Sequence, residues 1–151
     1  MKRILIIDGE LSEGLEVAVS MQYAISQDGT PAEALEAEID TLEVDSEFPY
    51  CDVRAAIIKT KPNAVLVTGC TPSEVINGLI ASRSESGYKL FLLDYHCISC
   101  AGKDPLSGQS IVHSKEGVAK VYASLLKAGV SAVITNYNSI RETIDNAFDS
   151  K

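Results

Sequence analysis

The chain has 151 residues and a formal net charge of −8. This length fits one domain over residues 1–151, which can bury a core large enough to fold without disulfides. The acidic balance argues against nucleic acid as a partner, because phosphate binding needs clustered cations, and the cations of this sequence form no more than pairs, such as Lys59 and Lys61. No apolar run reaches the roughly 18 residues of a membrane span. We therefore expect a cytoplasmic protein without a membrane partner.

Five short apolar runs predict β-strands. The first, Arg3–Asp8, is better interpreted as a buried strand than as a signal peptide, because Asp8 ends it early. The others are Thr41–Val44, Ala64–Thr68, Lys89–Asp94 and Ser131–Thr135. Because the runs are apolar without alternation, we expect both faces of the sheet to be buried, which is typical of parallel strands.

Helical patterns separate these strands. We predict a helix with its apolar face at Leu15, Ala18, Val19 and Tyr23, a short one over Ala32–Ile39, one around Val53–Ile57, one from Pro72, one from Ser114 to a stop at Gly129, and one over Asn138–Phe148. Strands that alternate with helices form βαβ units. The expected fold is an α/β, three-layer, doubly wound sheet of five mostly parallel strands with helices on both faces.

The segment Thr71-Pro72-Ser73-Glu74 carries three signals of a helix start. Thr71 is predicted to cap the helix, Pro72 to be its first residue and Glu74 to complete a capping box. Gly69 would let a ligand approach the backbone, and the N–H groups of a helix start favour a phosphate or carboxylate. We predict Gly69, Thr71 and Ser73 as ligand-binding residues, although a capped helix with nothing bound would show the same pattern.

Three chemically active side chains stand at predicted strand ends. Asp8 ends the first strand, Cys70 follows the third and His96 follows the fourth. Ligands of open α/β sheets bind beyond the carboxyl ends of the strands, where the strand order reverses. If the first strand is central, the three residues face one crevice. They would supply a thiol nucleophile, a base and an orienting carboxylate. The alternative is structural: a cysteine after a buried strand is more often a small core residue, a lone histidine is usually structural, and an aspartate at a strand end often caps a turn.

The ligand expected at this crevice is small and either anionic or carbonyl-bearing, and no cofactor or metal is predicted. An irregular segment, residues 95–113, lies beside it in the sequence and contains Gly102, Pro105 and Gly108. A loop of this length in a compact domain is usually functional. It also holds one CxxC pair, Cys97 and Cys100, which is half of a zinc site; metal binding and simple thiols both remain open.

From Thr68 onward the chain resembles the isochorismatase-like (nicotinamidase-like) hydrolases. The resemblance is carried by Thr68-Gly69, the helix from Pro72, Gly87-Tyr88, Lys89–Asp94, the helix from Ser114 and Ser131–Thr135. It implies an α/β hydrolase that cleaves a C–N or ester bond, with Asp8 as the catalytic carboxylate. The family's cysteine falls on Glu74 or Val75, so a cysteine-dependent reaction would have to use Cys70.

The chain also resembles response-regulator receiver domains, more weakly. Ile4–Asp8 with Gly9 and Glu10 is similar to their acidic opening, Asp45 to their phospho-acceptor and Thr68 to their switch threonine. This resemblance implies a non-catalytic regulatory domain that binds a partner. Asp94 stands where the receivers have a lysine. Under either resemblance, an oligomer of identical chains remains open.

Overall fold

The computed structural model describes residues 2–8, 37–43, 49–68, 71–93, 102–112, 114–135 and 140–149. The strands are β1 (Lys2–Asp8), β2 (Ala37–Glu43), β3 (Ala64–Thr68), β4 (Lys89–Leu93) and β5 (Ala132–Ile134). The described helices are α1 (Pro49–Thr60), α2 (Ser73–Ser86), α3 (Lys115–Ala128) and α4 (Ile140–Asp149). The helix predicted around Leu15–Tyr23 lies outside the described residues.

The sheet has the order β2-β1-β3-β4-β5, and every described strand pair is parallel. The α/β class and the parallel sheet are therefore confirmed. β2 lies on one side of β1, whereas β3, β4 and β5 follow on the other side. The direction of winding thus reverses between β1 and β3, which makes their carboxyl ends the expected ligand edge.

Both faces of the sheet are buried, as the uninterrupted apolar runs predict. Alternate strand residues such as Leu5, Val65 and Leu92 pack with apolar residues of α1, α2 and α3. The intervening residues, such as Leu66 and Phe91, pack in a second cluster with α4. The predicted double winding needs helices on both faces of the sheet. One part of that prediction concerns residues 9–36, which lie outside the described part of the chain.

The predicted strands agree with the structure where the apolar run is strong. Ala64–Thr68 matches β3 residue for residue. The prediction was wrong for β2, which begins at Ala37 and includes residues assigned to the helix over Ala32–Ile39. Alanine and glutamate favour a helix locally, but seven-residue pairing with β1 overrides that preference.

The predicted bounds of α3 are confirmed, with a cap at each end. The Ser114 hydroxyl accepts a hydrogen bond from the Gly117 N–H at 3.0 Å, as an N-cap does. Gly129 ends the helix at φ 123°, and its N–H donates to the carbonyls of Leu125 and Leu126. The apolar stripe predicted on this helix includes Val121 and Leu125, both of which are buried.

The start of α2 differs from the prediction. The helix begins at Ser73, and Pro72 is its N-cap, with extended backbone and no side-chain cap. The N–H groups of Val75 and Ile76 both donate to the Pro72 carbonyl, at 3.0 and 3.3 Å. Thr71 therefore lies one residue before the cap, and the capping box with Glu74 does not form. Thr71 is instead a buried polar residue, 7% exposed.

Tyr88 joins α2 to the start of β4. Its hydroxyl lies 2.6 Å from the Leu79 carbonyl, to which it donates, and 2.7 Å from the Ser82 hydroxyl. Burial raises the pKa of Tyr88 above its usual value, while the hydrogen bond with Ser82 opposes that shift. The residue is thus a core tyrosine with a satisfied hydroxyl. In the part of the chain described here, no helix combines the length and the apolar character needed to cross a membrane.

Candidate functional site

The carboxyl ends of β1 and β3 meet at the reversal of the sheet. Asp8 and Thr68 are the last residues of their strands and are register partners. Glu43, the last residue of β2, pairs with Asp8 on its other side. The backbone of Asp8 is thus at the edge where the sequence predicts chemistry, next to the strand that leads into Thr71.

A crevice of about 180 Å³ lies at the start of α2. One wall is the segment Thr71-Pro72-Ser73, and the other is formed by Lys103, Asp104, Pro105 and Gly108. This volume has room for about six groups of the size of a water molecule. The crevice is therefore suited to a small ligand, or to the end of a larger one.

The second wall belongs to an ordered loop, residues 102–112. Lys103 and Ser110 form an antiparallel bridge across it. The Gly108 N–H donates to the Asp104 carbonyl at 2.7 Å, and the Asp104 carboxylate accepts from the Leu106 N–H at 2.8 Å. This Asx turn fixes the tip of the loop. The described half of the segment predicted as irregular is therefore a compact hairpin-like turn.

Gly108 brings this loop close to α2. Its φ of 74° is in the left-handed region that favours glycine. A Cβ built on Gly108 would lie 3.5 Å from the Ser73 hydroxyl oxygen, so the two walls are almost in contact.

Asn77 joins the two walls of the crevice. Its side-chain amide donates to the Ser73 carbonyl on α2 and to the Leu106 carbonyl on the loop, both at 2.9 Å. The two carbonyls belong to Ser73 and Leu106, which are 33 positions apart in the sequence. A single side chain therefore links the first turn of α2 to the loop opposite.

The crevice combines a cation with backbone donors. Lys103 supplies a positive charge to its lining, and Asp104 supplies a negative one whose carboxylate accepts from the Leu106 N–H. Because Val75 and Ile76 are the residues that donate to Pro72, the N–H groups of Ser73 and Glu74 have no acceptor inside the helix. Such groups at a helix start favour an anion or a carbonyl oxygen. The arrangement can hold a carboxylate or polarise a carbonyl.

Of the six residues predicted for the site, the structure brings Thr71 and Ser73 together in this crevice. Asp8 is at the same edge of the sheet by its backbone position. Gly69, Cys70 and His96 lie outside the described residues, so their meeting remains a prediction. The CxxC pair, Cys97 and Cys100, lies outside as well, and within the described ranges no group of three potential metal-binding side chains occurs.

Lys103, Asp104 and Asn77 were not predicted as site residues from the sequence. Asp104-Pro105 followed by Gly108 is a turn signal, and the loop itself was predicted to be functional. Its docking against α2 could not be predicted, because local sequence does not specify that contact. Asn77 carries no sequence signal, since a polar residue on a helix is most often only solvated.

A second, larger cavity of about 400 Å³ lies between α1 and α2. Its lining includes Tyr50, Arg54, Ser82 and Glu85 and comes entirely from these two helices. None of these residues follows the carboxyl end of a strand. We place the candidate site at the smaller crevice because its walls follow β3 and β4 at the edge where parallel sheets bind ligands.

Two solved structures share the fold over nearly the whole chain. EstA, a psychrotrophic esterase from Pseudoalteromonas sp. solved with monoethylphosphonate as inhibitor, has a TM-score of 0.56 and 11% identity, covering 99% of this chain and 96% of EstA. TesA has a TM-score of 0.55 and 12% identity, covering 98% and 97%. At such identities the likeness establishes the fold alone.

A third solved structure is less similar to this chain. YcaC of Escherichia coli, an octameric hydrolase of unknown specificity, covers 97% of this chain and 86% of its own at 11% identity. Its TM-score of 0.38 is too low to carry an argument. No protein-family model matches the sequence, and no curated protein is similar to it. The comparisons with EstA and TesA therefore establish the α/β fold and no family.

Proposed function

We propose that this chain is a small-molecule hydrolase that cleaves a short carboxylic ester at the crevice between α2 and the loop 102–112. The observation that carries the proposal is the crevice itself. It lies at the ligand edge of the sheet, and Lys103 and the first turn of α2 both favour an anionic or carbonyl-bearing group there. The esterase EstA, which has the same fold, supports the choice of an ester.

The proposed chemistry uses the three residues at the strand ends. The Cys70 thiolate attacks the carbonyl carbon and forms a thioester, while the bond to the alcohol breaks. His96 takes the thiol proton and gives it to the leaving alcohol, and Asp8 orients the imidazole. Water then hydrolyses the thioester, which releases the carboxylic acid and restores the thiol. Backbone N–H groups at the start of α2 hold the oxyanion. A C–N bond in the same position is the alternative substrate.

The test combines turnover with labelling. We expect the purified chain to hydrolyse p-nitrophenyl acetate or butyrate faster than buffer, and p-nitroacetanilide more slowly. Iodoacetamide near neutral pH should alkylate Cys70 and stop turnover, because a thiolate at an active site reacts readily.

The labelling needs a specific control. Cys51 is exposed on α1 and should be alkylated as well. The experiment is therefore done with Cys51→Ala, and the modified peptide is mapped by mass spectrometry. Sodium butyrate should protect Cys70 from the reagent. An unreactive Cys70 together with no ester hydrolysis would remove the proposed function.

One observation favours a second candidate from another class. The strand order β2-β1-β3-β4-β5 is also that of receiver domains. In that case the chain is a regulatory domain and Asp45 accepts a phosphoryl group. Incubation with acetyl phosphate and Mg²⁺ followed by intact-mass measurement separates the two proposals. A single added phosphoryl group at Asp45, without ester hydrolysis, would favour the receiver.

A further inference from the structure

We infer that Asn77 is a positioning residue that fixes the width of the crevice and so restricts the proposed substrate to a short acyl chain. The inference rests on the proposed function, because it names the substrate class of that same site. It begins from the two hydrogen bonds of one side-chain amide, to Ser73 on one wall and to Leu106 on the other.

The loop is held against the rest of the protein by apolar packing of Leu106 and Ile111 on the core and, across the crevice, by the Asn77 amide. Ser73 is positioned by the first turn of α2, whereas the loop is held by its own bonds, such as those of Asp104 with Leu106 and Gly108. These internal bonds preserve the shape of the loop but do not set its distance from the helix. The Asn77 amide supplies the hydrogen bonds that hold the two walls together across the crevice, because it reaches both carbonyls at once.

The same geometry sets the size of the ligand. With the walls held together, the crevice measures about 180 Å³. Gly108 and the Ser73 hydroxyl approach each other across it. An acetyl or butyryl group can lie within this half-open space, whereas an octanoyl chain has to extend out of it. Widening the crevice should therefore admit longer chains and weaken the hold on short ones.

Two substitutions test this role. Asn77→Ala removes both hydrogen bonds. Asn77→Asp keeps the shape of the side chain but places an ionised carboxylate, which cannot donate, beside two carbonyl oxygens. Ser84→Ala is the matched control, because Ser84 is an exposed residue on the same helix.

The first readout is the ratio of kcat/KM for p-nitrophenyl octanoate to that for p-nitrophenyl acetate. We expect Asn77→Ala and Asn77→Asp to raise this ratio about tenfold, mainly by raising KM for acetate and lowering it for octanoate. Ser84→Ala should leave the ratio unchanged. A general loss of structure would lower both rates together and leave the ratio where it was, which would overturn the inference.

The second readout needs no turnover. Amide hydrogen exchange of the peptide that contains residues 102–112 should become about tenfold faster in both Asn77 variants, since an unanchored loop opens more often. Unchanged exchange would overturn the inference even if esters are hydrolysed. If exchange rises but no ester is cleaved, the proposed function fails. The size limit is then tested by measuring the affinity for acetate and for octanoate in the unchanged chain and in the Asn77 variants. Equal changes in affinity for the two acids would overturn the inference.

Discussion

We expect Cys70→Ala to lower kcat/KM for p-nitrophenyl butyrate by about a thousandfold or more. The reason is that the proposed reaction forms a covalent thioester at this sulfur, and the methyl group of alanine cannot act as a nucleophile. Cys70→Ser should also be severely impaired, because a hydroxyl is a much weaker nucleophile at neutral pH. The measurement is steady-state hydrolysis after circular dichroism has shown that the variants are folded.

Cys51→Ala provides the matched control. It also replaces a thiol with a methyl group, but at an exposed position of α1 away from the strand ends. Its activity should equal that of the unchanged chain. If Cys70→Ala keeps its activity while the unchanged chain hydrolyses the ester, the nucleophile is another residue and the mechanism proposed above is wrong.

The largest effect on stability is expected for Phe91→Ala, which should lower the free energy of unfolding by about 3–5 kcal/mol. Phe91 is fully buried in β4, between Leu66 of β3 and Ala132 of β5. Its ring belongs to the cluster that α4 covers through Ile144. Removing it leaves a cavity in the sheet face, and a domain of this size has only about 5–15 kcal/mol in total.

Urea unfolding followed by circular dichroism measures this loss. Leu126→Ala on α3 is the control, because Leu126 is half exposed and its truncation should cost less than about 1 kcal/mol. A cost for Phe91→Ala no larger than that of the control would show that the packing between β4 and α4 is not as described.

The central strands of the sheet can be predicted from the sequence because burial on both faces requires an uninterrupted run of apolar residues. Ala64–Thr68 is apolar throughout except for its last residue, and it forms β3 with those bounds. The same holds for the cap at Ser114 and the stop at Gly129, where one local residue type satisfies the helix end.

Prediction fails where a distant partner decides the structure. Residues 37–39 have helical propensity, yet pairing with β1 places them in a strand. Thr71 has the right chemistry for a cap, but Pro72 takes that position because its carbonyl accepts the first bonds of α2. At the candidate site, too, local residues could be predicted and residues brought in by a distant segment could not. Ser73 could be predicted from its place after β3, whereas Lys103 enters the site through the docking of a loop.

The proposed function depends most on the location of the site, and an NMR titration with sodium butyrate tests that location directly. We predict saturable shifts of the backbone amides of Ser73 and Gly108, which line the crevice, and of Glu74 in the first turn of α2. Shifts confined to the cavity lined by Tyr50, Ser82 and Glu85, or no shifts at millimolar butyrate, would contradict it.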